Sequence, residues 1–215
     1  MQPKIISIEG NIGSGKSTLF EKLQLLFLNN PKYIFVREPV DIWETIKDES
    51  GTTILEKFYS DSEQYSFPFQ IMAYISRIKL LKECIKLNPD SIIITERSLF
   101  TDKLVFAKML YDTKKIEYIN YQIYLKMFET FKDDFCVDKI IYIKTLPDIC
   151  FNRIIKRSRT GENNISLEYL QLCDNYHDIM IDTLICNKMI LDGNIDIYEN
   201  KTQLNSWIEN ITSFI

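Results

Sequence analysis

Histidine is almost absent: one residue, His177, among 215. No serine or cysteine nucleophile motif accompanies it, so His-activated nucleophilic catalysis has no visible machinery and His177 reads as structural. Cysteines are few and scattered. Cys84, Cys136, Cys150, Cys173 and Cys186 show neither metal-ligand nor C-x-x-C spacing, which predicts reduced, mostly buried thiols in a cytosolic protein. No stretch approaches the roughly 18 uncharged apolar residues of a spanning helix, so no membrane segment is expected. The first apolar run starts at about Lys4, which leaves no room for a leader peptide and predicts a cytoplasmic location. Excess positive charge is lacking too. A net charge of −4 argues against nucleic acid as the main partner. Repeats, low-complexity tracts and linkers are missing, so residues 1–215 read as a single domain with a full core.

Among the residues present, Gly10-Asn11-Ile12-Gly13-Ser14-Gly15-Lys16-Ser17 matches every fixed position of the phosphate-binding pattern G-x-x-x-x-G-K-[ST]. An apolar run, Ile5 to Ile8, precedes it, and a helix-like stretch, residues 18–29, follows. That is the strand, turn and helix N-terminus the motif needs. Its backbone N–H groups can close around phosphate oxygens, and the helix dipole adds partial positive charge. Lys16 is expected at the β- and γ-phosphates, and the Ser17 hydroxyl at a magnesium ion. Thr18 continues the loop. A nucleoside triphosphate is therefore the expected ligand, with ATP and Mg2+ the natural pair.

Strand-like runs at residues 4–9, 34–37, 91–95, 139–143 and 189–191 alternate with helix-like stretches. Their β-branched, nearly continuous apolar character suits strands buried on both faces. The pattern predicts an α/β fold: a five-stranded parallel sheet flanked by helices on both faces. In such sheets ligands bind at the carboxyl ends of the strands. The phosphate loop, Glu38-Pro39-Val40, Glu96-Arg97-Ser98 and the stretch from Asp192 to Asp196 all begin at or just after those ends.

The longest predicted helix covers about residues 63–87. Phe67, Ile71, Tyr74, Ile78, Leu81 and Ile85 form a stripe for the core. Gln70, Ala73 and Arg77 share a second face that either flanks a polar ligand or is solvated. Ser166 is placed to cap a helix beginning at Leu167. Of 26 basic residues six are arginine, and Arg153, Arg157 and Arg159 fall within seven positions. Arginine presents a planar bidentate fork, so this cluster reads as an anion clamp, a lid over about 153–165. Phosphoryl transfer also needs a carboxylate to orient the acceptor hydroxyl. Glu38 and Glu96 both qualify, and Glu96 can equally serve near magnesium.

These segments carry a resemblance. Gly10 to Thr18, Glu38-Pro39-Val40-x-x-Trp43, Tyr59, Phe69-Gln70, Ala73, Ser76-Arg77, Glu96-Arg97-Ser98 and Asp102 stand in its order. So do Arg153-x-x-x-Arg157-x-Arg159, Glu162 and Leu167 to Leu170. The chain resembles the deoxyribonucleoside kinases, the family of deoxycytidine, deoxyguanosine and insect multisubstrate kinases, over about residues 4–196. The resemblance implies transfer of a γ-phosphate to the 5′-hydroxyl of a deoxyribonucleoside, with a homodimer as the working form. Glu38 would be the general base and Arg97 would hold the hydroxyl and developing charge. Tyr59 and Glu162 would bind the 3′-hydroxyl. Gln70 would pair with the base edge, Phe69 and Phe106 would stack on the base, and Trp43 would wall the pocket. Arg153, Arg157 and Arg159 would be the lid arginines, with Asp196 and its neighbours at the donor's adenine. Members taking deoxycytidine or purine deoxynucleosides pair an arginine with an aspartate in the base pocket. Arg77 and Asp102 fit that pattern, and Ala73 leaves room.

Two rival readings stay open on sequence. A nucleoside monophosphate kinase needs acceptor-side cations, for which only Arg37 or Arg77 is available. A P-loop switch should read guanine through N-K-x-D, but Asn187-Lys188-Met189-Ile190 carries isoleucine at the aspartate position.

Overall fold

The computed structural model describes residues 3–158, 161–197 and 200–215. Five strands, β1 (Lys4–Gly10), β2 (Tyr33–Val36), β3 (Ile92–Glu96), β4 (Lys139–Lys144) and β5 (Asn187–Asp192), form one sheet in the order β2-β3-β1-β4-β5. Every pairing is parallel. All five predicted runs are strands, with ends moved by one or two residues. The main helices are α1 (Lys16–Leu26), α2 (Ser62–Leu87), α3 (Tyr118–Phe131), α4 (Pro147–Arg157), α5 (Leu167–Thr183) and α6 (Lys201–Phe214).

Alternation along the strands explains why both faces are covered. Ile6, Ile8, Ile92, Ile94, Ile141 and Ile143 point to one face, where Leu19, Phe20 and Leu23 of α1 and Trp207 and Ile211 of α6 bury them. Ile5 and Ile93 point to the other, against Ala73, Tyr74, Ile78 and Leu81 of α2 and Tyr124 and Phe128 of α3. Ile140 and Tyr142 meet Met180 and Ile181 of α5. On this second face β1 also carries a carboxylate. Glu9 has no exposed surface. Its oxygens accept from Ser7 Oγ at 2.6 Å, Ser98 Oγ at 2.7 Å and Thr101 Oγ1 at 2.6 Å. Burial pushes its pKa up in spite of those three donors.

Three expectations need correction. The first helix begins at Lys16 rather than 18, because the phosphate loop runs directly into it. In α2 the stripe is displaced. Phe67, Ile71 and Ile85 are only partly buried, whereas Phe69, Gln70, Ala73 and Arg77 are buried with Tyr74, Ile78 and Leu81. The helix turns this side inward because Arg77 finds acceptors there and Gln70 faces a cavity. The cysteines are not mostly buried: Cys150 and Cys173 are, Cys84 and Cys186 are intermediate, and Cys136 is exposed. Ser166 caps α5 as expected, accepting from Tyr169 N at 3.2 Å. Among the described residues no helix is long and apolar enough to cross a membrane.

Candidate active site

The carboxyl ends of β1 and β3 lie side by side, with Ile8 opposite Glu96. The Arg97 N–H extends that ladder to the Ile8 carbonyl at 3.0 Å. The phosphate loop and the Glu96-Arg97-Ser98 turn are thereby neighbours. Within the loop Ser14 N donates to the Asn11 carbonyl at 3.2 Å, and Asn11 Nδ2 ties the loop to the Leu170 carbonyl at 2.8 Å. Gly13 has φ +79°, and a Cβ there would lie 2.6 Å from the Cys150 carbonyl oxygen, so only glycine fits. Thr145 Oγ1 donates to the Ser14 carbonyl at 3.2 Å, and Arg153 spans from that carbonyl to the Ile195 carbonyl at 3.4 Å each.

A cavity of about 460 Å³ opens above this edge. Ile12, Gly13, Ser14, Gly15, Lys16, Ser17 and Thr18 line one end, with Arg153, Arg157, Ile195, Asp196 and Trp207 beside them. Trp43, Tyr59, Phe69, Gln70, Ala73, Asp102, Phe106 and Glu162 line the other, with Glu38, Glu96 and Arg97 between. The volume is of the size that encloses a small organic ligand. Gly10, Asn11 and Arg77 are not lining residues: Asn11 is buried with its side chain tied to Leu170, and Arg77 is bonded to Asp102. Arg159 lies outside the described residues.

Charge is concentrated where the two ends meet. Arg97 Nη1 lies 2.9 and 2.8 Å from the two carboxylate oxygens of Glu38. Arg77 Nη2 lies 3.2 Å from Glu38 Oε1. Burial would raise the Glu38 carboxyl, but Arg97, Arg77 and Lys16 outweigh it and hold the pKa at about 2. Arg97 has left-handed backbone, φ 63°, a conformation costing a non-glycine residue about 1 kcal/mol or more. The Ile8 ladder bond and the Ser98–Glu9 bond hold it there. Its Nε and Nη2 are buried with no hydrogen-bond partner, and its guanidinium lies 5.0 Å from the Phe106 ring centroid. Such orphaned donors suit an oxyanion.

At the loop end Ser17 Oγ donates to Glu96 Oε1 at 2.5 Å. Among the described residues no group of three His, Cys, Asp or Glu could hold a metal. One hydroxyl and one carboxylate beside a phosphate cradle nevertheless fit magnesium, which keeps waters and substrate phosphates as its other ligands. Lys16 Nζ donates to the Asn11 carbonyl at 2.7 Å. Burial, helped by Arg97, lowers its pKa to about 8. An arriving triphosphate should reverse that shift, so donor binding above pH 8 takes up a proton. Calorimetry in buffers of different ionisation enthalpy should find uptake approaching one proton at pH 9 and almost none at pH 6.5. Equal enthalpies at pH 9 would contradict it.

At the far end Phe69 stacks on Phe58, centroids 4.7 Å apart, and meets Trp43 edge-on at 5.2 Å. Trp43 Nε1 is fixed by Ser76 Oγ at 2.9 Å. Gln70 Oε1 is buried without a partner. Asp102 accepts from Arg77 Nε at 2.9 Å. Asp102 and Phe106 both sit on a π-helical turn, Asp102–Ala107, a feature common at functional sites. Glu162 is clasped by Arg157, whose Nη2 lies 2.7 and 2.5 Å from its oxygens. His177 is fully buried, and burial, reinforced by Arg97, holds it at about 3. Its Nδ1 lies 2.6 Å from the Cys173 carbonyl, which can only accept, so that nitrogen carries the proton.

Sequence reasoning gave no role to Val40, Leu55, Phe58, Lys156, Tyr169 or Trp207, all of which line the cavity. Tyr169 lay inside a matched segment. Trp207 lies beyond the resemblance, which ends at about residue 196. It packs against the core of β1 and α1, and it also lines the cavity.

The family profile "Deoxynucleoside kinase" matches residues 6–215. A probable deoxycytidine kinase of fowlpox virus is 34% identical over 224 residues, covering 99% of this chain and 88% of that protein. The mitochondrial deoxyguanosine kinase of Xenopus laevis is 31% identical over 196 residues, 83% of this chain and 73% of its own length. Human deoxycytidine kinase is 30% identical over 239 residues, with 99% and 91% covered. A parallel sheet ending in a phosphate loop, and a profile match over nearly the whole length, lead to one conclusion: the chain belongs to the deoxynucleoside kinase family, a kinase of nucleosides.

Proposed function

We propose that this kinase moves the γ-phosphoryl group of ATP to the 5′-hydroxyl of a deoxyribonucleoside, preferring deoxycytidine and purine deoxynucleosides to thymidine. The observation that carries the reading is the Glu38–Arg97 pair, lying between the phosphate loop and an aromatic slot in one cavity. Glu38 orients the hydroxyl. A carboxylate with pKa about 2 is a weak base, so it takes the proton as bonding to phosphorus makes the oxygen acidic. Arg97 keeps Glu38 ionised through Nη1 and offers Nε and Nη2 to developing negative charge. Lys16 and the loop amides hold the phosphates. Ser17 and Glu96 would hold magnesium, which neutralises phosphate charge when bound. Tyr59 and Glu162 reach the 3′-hydroxyl, and Arg153, Arg157 and Arg159 serve the lid of about 153–165.

In the slot Phe69 and Phe106 flank the heterocycle and Trp43 closes the side. Gln70 reads its edge through the free Oε1. Asp102 accepts from an exocyclic amine, and Ala73 leaves space. The relatives named for deoxycytidine and deoxyguanosine support this choice. A phosphorylated acceptor is disfavoured. Arg37 pairs with Glu21 on the surface and Arg77 is sealed behind Asp102, so neither cation faces the cavity. By likeness to the family the kinase acts as a homodimer; residues 1–215 act as one domain, and scattered unpaired cysteines suit the cytoplasm.

The test is kcat/KM for the four deoxynucleosides with ATP. Amine-bearing bases should exceed thymidine by about 100-fold or more, since an unpaired buried polar group discriminates strongly. Preference for thymidine would overturn the base assignment.

A further inference from the structure

Arg77 makes bonds in two directions. Its Nε and Nη2 lie 2.9 and 3.4 Å from the Asp102 carboxylate, and the same Nη2 lies 3.2 Å from Glu38 Oε1. Nη1 donates to the Glu96 carbonyl at 2.8 Å. The side chain is 3% exposed, so its guanidinium has no solvent to swing into. Asp102 lines the cavity and Arg77 does not. Any change at Asp102 therefore reaches Glu38 through a single rigid, planar group.

The geometry points to Arg77 as a positioning residue that reports occupancy of the heterocycle slot to the phosphoryl-accepting carboxylate. The inference rests on the proposed deoxynucleoside reaction. An amine donating to Asp102 completes the hydrogen bonds of that carboxylate and fixes the Arg77 fork square to Glu38. A base that sets a carbonyl oxygen against Asp102 repels that carboxylate, the bonded Arg77 fork shifts with it, and Glu38 loses the second of its two arginine contacts. The wrong base is then rejected in the chemical step as well as in binding. Charged and titratable groups around Glu38 are Arg97 from the turn after β3, Lys16 from α1, Arg77 from α2, with Tyr59 and Asp102 close by.

Deoxycytidine and deoxyuridine differ at the amine and adjacent ring nitrogen, so the intact enzyme provides the first test. Single-turnover transfer from ATP at saturating nucleoside should be about tenfold or more slower with deoxyuridine, on top of weaker binding. Equal transfer rates, with discrimination confined to binding, would overturn the inference and leave the proposed reaction standing. No transfer to any nucleoside would remove both. The second test is Arg77→Met, read as kcat/KM against pH. Losing one of its cations should raise the Glu38 pKa, so an acid limb absent from wild type should enter the range above pH 4. Arg77→Lys should restore charge but not the fork, moving that limb partway back. The limb should persist in Arg77→Met/Asp102→Asn, where residue 102 cannot titrate; its absence there in a folded enzyme would show that Arg77 only props Asp102. Should Arg77→Met not fold, the deoxyuridine comparison decides alone.

Discussion

Glu38→Gln should lower kcat by about 10²- to 10⁴-fold, the usual worth of a positioned general base. The amide keeps the size of the side chain but cannot accept the hydroxyl proton. Nucleoside KM should change little, because the aromatic walls and Gln70 of the slot are untouched by the substitution. The substitution also removes the anion between Arg97 and Arg77, both buried, so a lower Tm should accompany it. Steady-state kinetics with a melting curve separates the effects: lost kcat in a protein still folded at assay temperature marks the base. Turnover within a few-fold of wild type would remove Glu38 from that role.

Lys16→Met should have the opposite signature on stability. The ammonium is buried, and its pKa of about 8 against a usual 10.5 means the folded protein disfavours its charge. A group whose proton is held less tightly folded than unfolded costs stability below pH 8 and gives it back as pH rises from 8 toward 10.5. The shift corresponds to roughly 3 kcal/mol at most, so methionine of similar length should raise Tm at pH 7. Activity should move the other way. Loss of one preorganised cation at the transferring phosphate should cost about 10²- to 10³-fold in kcat/KM for ATP. A variant that is both more stable and inactive would show that charge is stored at this position for catalysis. Retained turnover would take Lys16 out of the phosphate site.

Much of this molecule was legible without coordinates where information is local. The phosphate loop is eight consecutive residues, and the isoleucine-rich strands announce burial on both faces by composition alone. Capping by Ser166 needs a bond across only three residues. The α2 stripe was misread for a related reason. Periodicity marks which residues are apolar, and it cannot see that Arg77 finds Asp102, Glu38 and the Glu96 carbonyl inside, or that Gln70 lines a cavity. Trp207 escaped because nothing near it in the chain shows that α6 packs beside the phosphate loop.

The order of residues by itself determined the loop, the strand alternation, the Ser166 cap and the family. Folding alone decided that Glu38 and Arg97, 59 positions apart, share two hydrogen bonds. It alone decided that Glu9 collects hydroxyls from Ser98 and Thr101, 89 and 92 positions away. It also decided that Arg77 joins Asp102 to Glu38. Each of these contacts depends on which strands pair, in what register, and how a helix is rotated on the sheet. Those are properties of packing between distant segments, and no spacing along the chain encodes them.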